Sequence, residues 1–207
     1  MRYEIRKVAL TVFLCLFLFA GNDLAAQDRS SSFGLRAGSN VAWFTNRMDG
    51  INPRTTFNVG AFYSKRIAGQ FYIQPEISIN GKGGDETIMT FPERETFRVT
   101  FKLTYIDIPV LFKYTFSPEN VSFSLLAGAM GGFNIGSTLD TNEGVSIDIG
   151  DEVGNLNGAA ITGIEVGVPF MKQRLLFSAR YEIGIRGPFS SSNSELNAIS
   201  VTAGVAF

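Results

Sequence analysis

Five ionisable residues, Glu76, Asp107, Glu165, Arg180 and Glu182, fall on the polar side of segments in which apolar and polar side chains alternate. Four carboxylates and one guanidinium on the inner face of a closed sheet support two chemistries. One is a relay that passes protons or ions along a lumen; the other is a structural cluster of neutralising pairs that fills it. Narrow interiors are normally packed with side chains, which favours the structural cluster. Arg180 is the one cation of the set and is expected to serve up to three carboxylates. Lys113 and Arg66 are expected to join it nearer one end of the strands.

Other chemistries are excluded by composition. The chain of 207 residues contains no His, so no Ser-His or Cys-His dyad, imidazole base or His-ligated metal can be assembled. No Asp-Asp pair on a common face replaces them, and no enzyme, catalytic residue or cofactor is expected. Eighteen basic and nineteen acidic residues leave a net charge of −1. Such a chain has no basic footprint for nucleic acid. Asp140, Glu143, Asp148, Asp151 and Glu152 form an acidic stretch with no basic residue between Leu139 and Leu156. Its spacing is not that of an EF-hand, so solvated carboxylates are expected in preference to bound calcium. Lys82-Gly83-Gly84-Asp85 lacks the spacing and the following helix of a phosphate-binding loop and reads as the entry to a loop.

The elements that must position these residues are strands. Phe33, Leu35, Ala37, Val41 and Trp43 share one face, while Gly34, Arg36, Gly38, Asn40 and Ala42 share the other. The same alternation governs residues 55–67, with Phe62 intruding on the polar side, and residues 71–81. Residues 96–116 carry a conflict: Phe97, Val99, Phe101 and Leu103 are odd-numbered, but Ile106, Ile108, Val110, Phe112 and Tyr114 are even. A bulge or bend near Thr104 is expected there. Residues 121–133, 156–168, 175–185 and 196–207 complete eight alternating segments.

The connections alternate in length. Residues 68–70, 117–120 and 169–174 have tight-turn composition, whereas 46–54, 82–95, 134–155 and 186–195 read as long loops rich in Gly, Asn, Asp, Ser and Pro. Short turns at one end and long loops at the other mark an eight-stranded antiparallel up-and-down transmembrane β-barrel with both termini periplasmic. A soluble barrel carrying an apolar ligand would turn the apolar faces inward, yet would leave the Gly-rich opposite face without a reason. If the polar set faces inward, charges of both signs pair there and Gly admits side chains across a narrow interior. Aromatic residues cluster toward the segment ends, as interfacial girdles do.

Residues 1–26 read as a cleaved signal peptide. Arg2, Arg6 and Lys7 precede an uncharged run over residues 8–20, and cleavage is expected after Ala26. This core is too short to span a membrane as a helix. Cys15 leaves with it, so the barrel domain of residues 27–207 has no disulfide. Phe207 closes the last alternating segment and is expected to act as an insertion signal.

Together, Gly34-Leu35-Arg36-Ala37-Gly38-Ser39-Asn40, Tyr72-Ile73-Gln74-Pro75-Glu76-Ile77, Tyr105-Ile106-Asp107-Ile108-Pro109-Val110-Leu111-Phe112-Lys113-Tyr114 and Ala179-Arg180-Tyr181-Glu182-Ile183-Gly184-Ile185 resemble the PorT-like outer-membrane β-barrel family of Bacteroidota-type bacteria. That family is related in shape to the OmpA and OmpX barrels. The resemblance covers essentially the whole chain after residue 26. It implies residence in the outer membrane and, for some members, a link to secretion or gliding; it implies no enzyme. The expected role is a structural, interaction or secretion-associated barrel, with a small porin-like channel as the alternative. Expected partners are outer-membrane lipid, the insertion machinery that reads the final strand, and an envelope or secretion protein of unknown identity.

Overall fold

A strand with one apolar and one polar face must put each face in a matching solvent, and its main-chain groups must pair with neighbours. Closing a sheet on itself meets both demands. The computed structural model describes residues 31–45, 51–90, 95–117, 120–150, 153–186 and 195–207. Residues 1–26, the expected signal peptide, lie outside the described residues, as do Asp151 and Glu152. Eight long strands form: β1 (Ser31–Thr45), β2 (Ile51–Ala68), β3 (Phe71–Thr90), β4 (Glu95–Phe116), β5 (Ser122–Thr141), β7 (Leu156–Phe170), β8 (Gln173–Arg186) and β9 (Glu195–Ala206). A short β6 (Ser146–Asp148) lies between β5 and β7 in sequence. Each long strand runs antiparallel to both neighbours, and β9 pairs with β1 to complete the circuit.

The faces point as the alternation requires. Arg36, Asn40, Gln74, Glu76, Ser78, Asn80, Asp107, Glu165, Arg180, Glu182, Ser200 and Thr202 are all buried in the lumen. Phe33, Leu35, Phe57, Val59, Val110, Phe112, Leu125, Ile164, Phe177 and Val201 are exposed on the outside. A wall greasy outside and polar inside is solvated by lipid. The soluble, ligand-carrying alternative needs the reverse arrangement and is overturned. At the short-turn end Phe71 packs on Tyr114 at 5.0 Å between ring centroids, and Phe116 stacks on Phe123 at 5.5 Å. At the other end Trp43 stacks on Tyr181 at 6.1 Å. These rings sit where girdles belong.

The irregularity expected near Thr104 is present, but the extra residue is on the partner strand. Thr104 pairs with Gly136 and Tyr105 with Asn134, so Ile135 of β5 is the bulged residue. Strand β4 keeps one parity throughout: Val99, Leu103, Tyr105, Asp107 and Leu111 are all buried. The apparent conflict marks a change in what fills the lumen, from charged side chains to apolar ones.

The loop expectations need correction in the same region. Strand β3 continues to Thr90 and β4 begins at Glu95, so Lys82, Gly83, Gly84 and Asp85 are ladder residues and not the entry to a loop. Strand β5 likewise continues to Thr141 before turning into β6, and β2 already begins at Ile51. Glycine and asparagine in these stretches gave them loop composition although they lie in a sheet that rises beyond the apolar band.

The tight turns between β2 and β3 and between β7 and β8 hold, while residues 118 and 119 of the turn expected after β4 lie outside the described residues. Gly69, the first residue after β2, has φ +54°, a left-handed conformation that glycine adopts without steric cost. Met171 occupies the same position after β7 with the same φ of 54°, and there a Cβ is strained by roughly 1 kcal/mol. Met171→Gly is therefore expected to stabilise the barrel by about 1 kcal/mol or slightly less, read as a higher urea midpoint for refolding into lipid vesicles. An unchanged or lower midpoint would show that the turn carries no strain.

Candidate functional site

Alternation along β3 places Gln74, Glu76, Ser78, Asn80 and Lys82 on one inward row, and this row is the spine of the charged lumen. Glu76 sits between two guanidiniums. Arg36 of β1 donates to its Oε1, and Arg180 of β8 forks onto it, with Nη1 2.8 Å from Oε2 and Nη2 3.1 Å from Oε1. Gln74 Nε2 adds a third donor, 2.8 Å from Oε1. Nearer the long-loop end Lys82 bridges two carboxylates, Glu182 Oε2 at 2.9 Å and Asp107 Oδ2 at 3.1 Å. Asn80 Nδ2 also donates to Asp107 Oδ2, at 2.5 Å. Across the intervening β5, Lys113 of β4 pairs with Glu165 of β7.

All five residues singled out by sequence are in this lumen, and Lys113 joins them as expected. Arg66 does not: it is exposed, and its Nε donates to Tyr72 Oη at 3.2 Å. Arg180 serves one carboxylate and not three. Sequence reasoning missed Lys82 because the glycines around it suggested a loop, although it continues the even-numbered row from Gln74 to Asn80. Arg36 was placed on the correct face but not assigned to Glu76. With Arg36 and Lys82 included, four cations meet four carboxylates and the lumen network is formally neutral. That balance matters because a lone charge sealed away from water costs several kcal/mol.

Apolar layers seal the network. Phe62, the intruder on the polar side of β2, lies with its ring over Gly34, where any Cβ would collide with it. Arg36 rests above the same ring at 5.0 Å, and Leu176 and Ala206 complete this layer. Toward the long-loop end Ala42, Phe44, Leu103, Tyr105, Leu196 and Ala198 line the lumen, and Ile149 and Val153 from the β6–β7 connection drop into it. This plug meets the network at Lys82, whose Nζ lies 5.8 Å from the Tyr105 ring centroid. Between the two charge clusters remains a cavity of about 10 Å³ lined by Arg36, Asn58, Glu76, Arg180, Glu182 and Ser200 among others. That is the scale of one water molecule and far short of a channel.

The acidic stretch is only partly a cluster. Asp140 pairs with Lys102 and accepts from Ser146 Oγ at 2.6 Å. These two partners hold its carboxyl below the usual carboxylate range. Asp148 Oδ1 accepts from the Gly150 N–H at 2.8 Å. Among the described residues no group of acidic side chains is arranged to hold a metal ion. Phe207 donates its N–H to Phe33 O at 2.8 Å, tying the end of β9 to β1, while its ring stays exposed.

The fold and the filled lumen define an integral outer-membrane β-barrel. Residues 25–190 match the model of the family described as outer membrane protein beta-barrel domain, and the chain belongs to that family. Among solved structures it is similar to a major outer membrane protein of Thermus thermophilus, with a TM-score of 0.52 and 10% identity over 86% of this chain and 99% of that one. Neisserial surface protein A aligns over 86% of this chain and 98% of its own, at 16% identity and a TM-score of 0.46. Ail of Yersinia pestis aligns over 86% and 99%, at 14% identity and a TM-score of 0.45. No functionally curated protein matches the chain.

Substitutions in the two clusters should separate by how many carboxylates they strand. Lys82→Met leaves Asp107 and Glu182 buried without a cation and is expected to cost about 3–5 kcal/mol. Arg180→Leu leaves Glu76 with Arg36 and Gln74 and is expected to cost clearly less. Adding Glu182→Gln to Lys82→Met should recover part of the loss. Urea midpoints of lipid-reconstituted variants test the ranking; equal losses for the two single variants would refute the assigned pairing.

Proposed function

We propose that this protein is a non-conducting, non-enzymatic barrel that acts in the outer membrane as a structural or interaction element, through its outer loops or its periplasmic rim. The observation that carries the reading is the neutral lumen network capped by the plug to which Ile149 and Val153 contribute. A water-filled path would require charged side chains that line a passage, whereas here each buried cation reaches a carboxylate. Catalysis has no support in the same geometry, since the lumen carboxylates are engaged and the chain has no His. The resemblance carried by Tyr72 to Ile77 and Tyr105 to Tyr114 groups the chain with the PorT-like barrels, for which a secretion-associated role follows by analogy. On this reading residues 1–26 direct export and are removed, and both ends of the barrel chain face the periplasm.

Conductance tests the reading. The purified protein, verified as folded by faster migration unboiled than boiled in detergent electrophoresis, is expected to give no discrete current steps in a planar lipid bilayer. Reproducible steps from the wild-type chain would favour the small porin-like channel. Current that appears only with Ile149→Asp together with Val153→Asp would confirm the plug as the seal.

A further inference from the structure

Strand β6 is the one described element of the wall with a single strand neighbour. It pairs with β5 alone, through Thr138↔Asp148, Leu139↔Ile147 and Asp140↔Ser146. Hydrogen bonds from Thr141 N to Val145 O and from Ile149 N to Ser137 O fix the phase of this ladder. The odd-numbered residues of β6 therefore face β5, while the N–H and C=O groups of Ser146 and Asp148 point away from it. The open edge has two different sides. Asp148 shares its side with Ser146 and with Asp140, and because Asp140 is already paired with Lys102 of β4, Asp148 is the carboxylate there that no described cation neutralises. On the other side Val145 and Ile147 are each half exposed, beside Leu139.

We propose that the free edge of β6 is a docking site for an extended segment of another protein, which adds a strand to the sheet and alternates basic with apolar side chains. Main-chain bonds to Ser146 and Asp148 would hold such a segment. Its basic side chains would meet the acidic side, and its apolar ones would cover Val145 and Ile147. An open edge attracts a strand of any sequence; the charge and the exposed apolar pair select this one. The proposal rests on the interaction role argued above and assigns it to a defined edge at the long-loop end.

The experiment uses the full chain reconstituted in zwitterionic lipid and a short labelled peptide that alternates Lys and Val. Binding is read by fluorescence anisotropy. The same peptide with alternate main-chain nitrogens methylated is expected not to bind. Ser146→Pro removes an outward N–H without touching the ladder to β5, and is expected to weaken binding about tenfold, the worth of one or two main-chain hydrogen bonds. Ser146→Ala, which keeps that N–H, should bind as the wild type does. Unboiled mobility in detergent confirms that each variant folds. Equal binding of the methylated peptide, or indifference to Ser146→Pro, would reduce the effect to charge and overturn the proposal. So would absence of binding, or a dimer of the protein that Ser146→Pro dissolves, since the edge would then belong to a second copy. Failure of the peptide with a silent bilayer would refute this edge alone; current steps with peptide bound would refute the closed lumen alone.

Discussion

The structure depends on the cost of enclosing charge. Eight strands make a lumen too narrow for bulk water, so every ionised group on its wall must find an opposite charge across the barrel. Glu76, on β3, is held by cations from β1 and β8; Lys82, also on β3, is held by carboxylates from β4 and β8. The link from β3 to β4 is between neighbours, but those from β3 to β1 and to β8 join strands that are not adjacent in the sheet. The network thereby fixes which walls face each other, which backbone pairing between neighbours cannot do alone. A register slip of one residue in β3 would carry Glu76 into lipid and turn Lys82 away from Asp107 and Glu182.

Strand number, the direction of each face and the occupants of the lumen were legible because lipid outside and packed side chains inside impose strict period-two patterning. The misreadings arose where that constraint relaxes. Beyond the apolar band the outer face of β3 and β4 needs no apolar residue, and Gly83, Gly84 and Asp85 look like loop punctuation although the ladder continues from Lys82↔Leu103 to Thr90↔Glu95. The odd-even conflict in β4 had another source. Leu103 and Val99 face inward like Asp107, but Leu103 packs into a plug formed by residues from β1, β9 and the β6–β7 connection, which no local pattern in β4 can reveal. The partner of each charge was equally invisible, since pairing across the barrel is set by strand tilt and not by spacing along one strand.

The outer end follows a different rule from the membrane-spanning part. From Ser122 to Phe133, β5 pairs with β7; beyond that point it turns to β6 and leaves the wall between β5 and β7 open. An opening there would wet the charged lumen, and the chain closes it from within. Ile149 bonds to Ser137 through its N–H, and Val153 bonds back to Ile149, which turns both side chains into the mouth. The same departure that calls for a plug leaves β6 with an unpaired edge, so the seal and the docking edge have one cause.

Space sets the last condition on the network. Gly132 lies opposite Asp107 in the ladder, and a Cβ there would collide with Asp107 Oδ1. The carboxylate that Lys82 and Asn80 hold thus occupies room that any larger residue at position 132 would take. Its Oδ1 is buried with no hydrogen-bond donor, while Oδ2 accepts from Asn80 and pairs with Lys82. Asp107 thus keeps one buried oxygen without a donor and depends on Lys82 for its charge to be tolerable. The absence of a side chain at Gly132 is therefore as much a part of the ion-pair network as Lys82, because displacement of Asp107 would break the bridge that also holds Glu182.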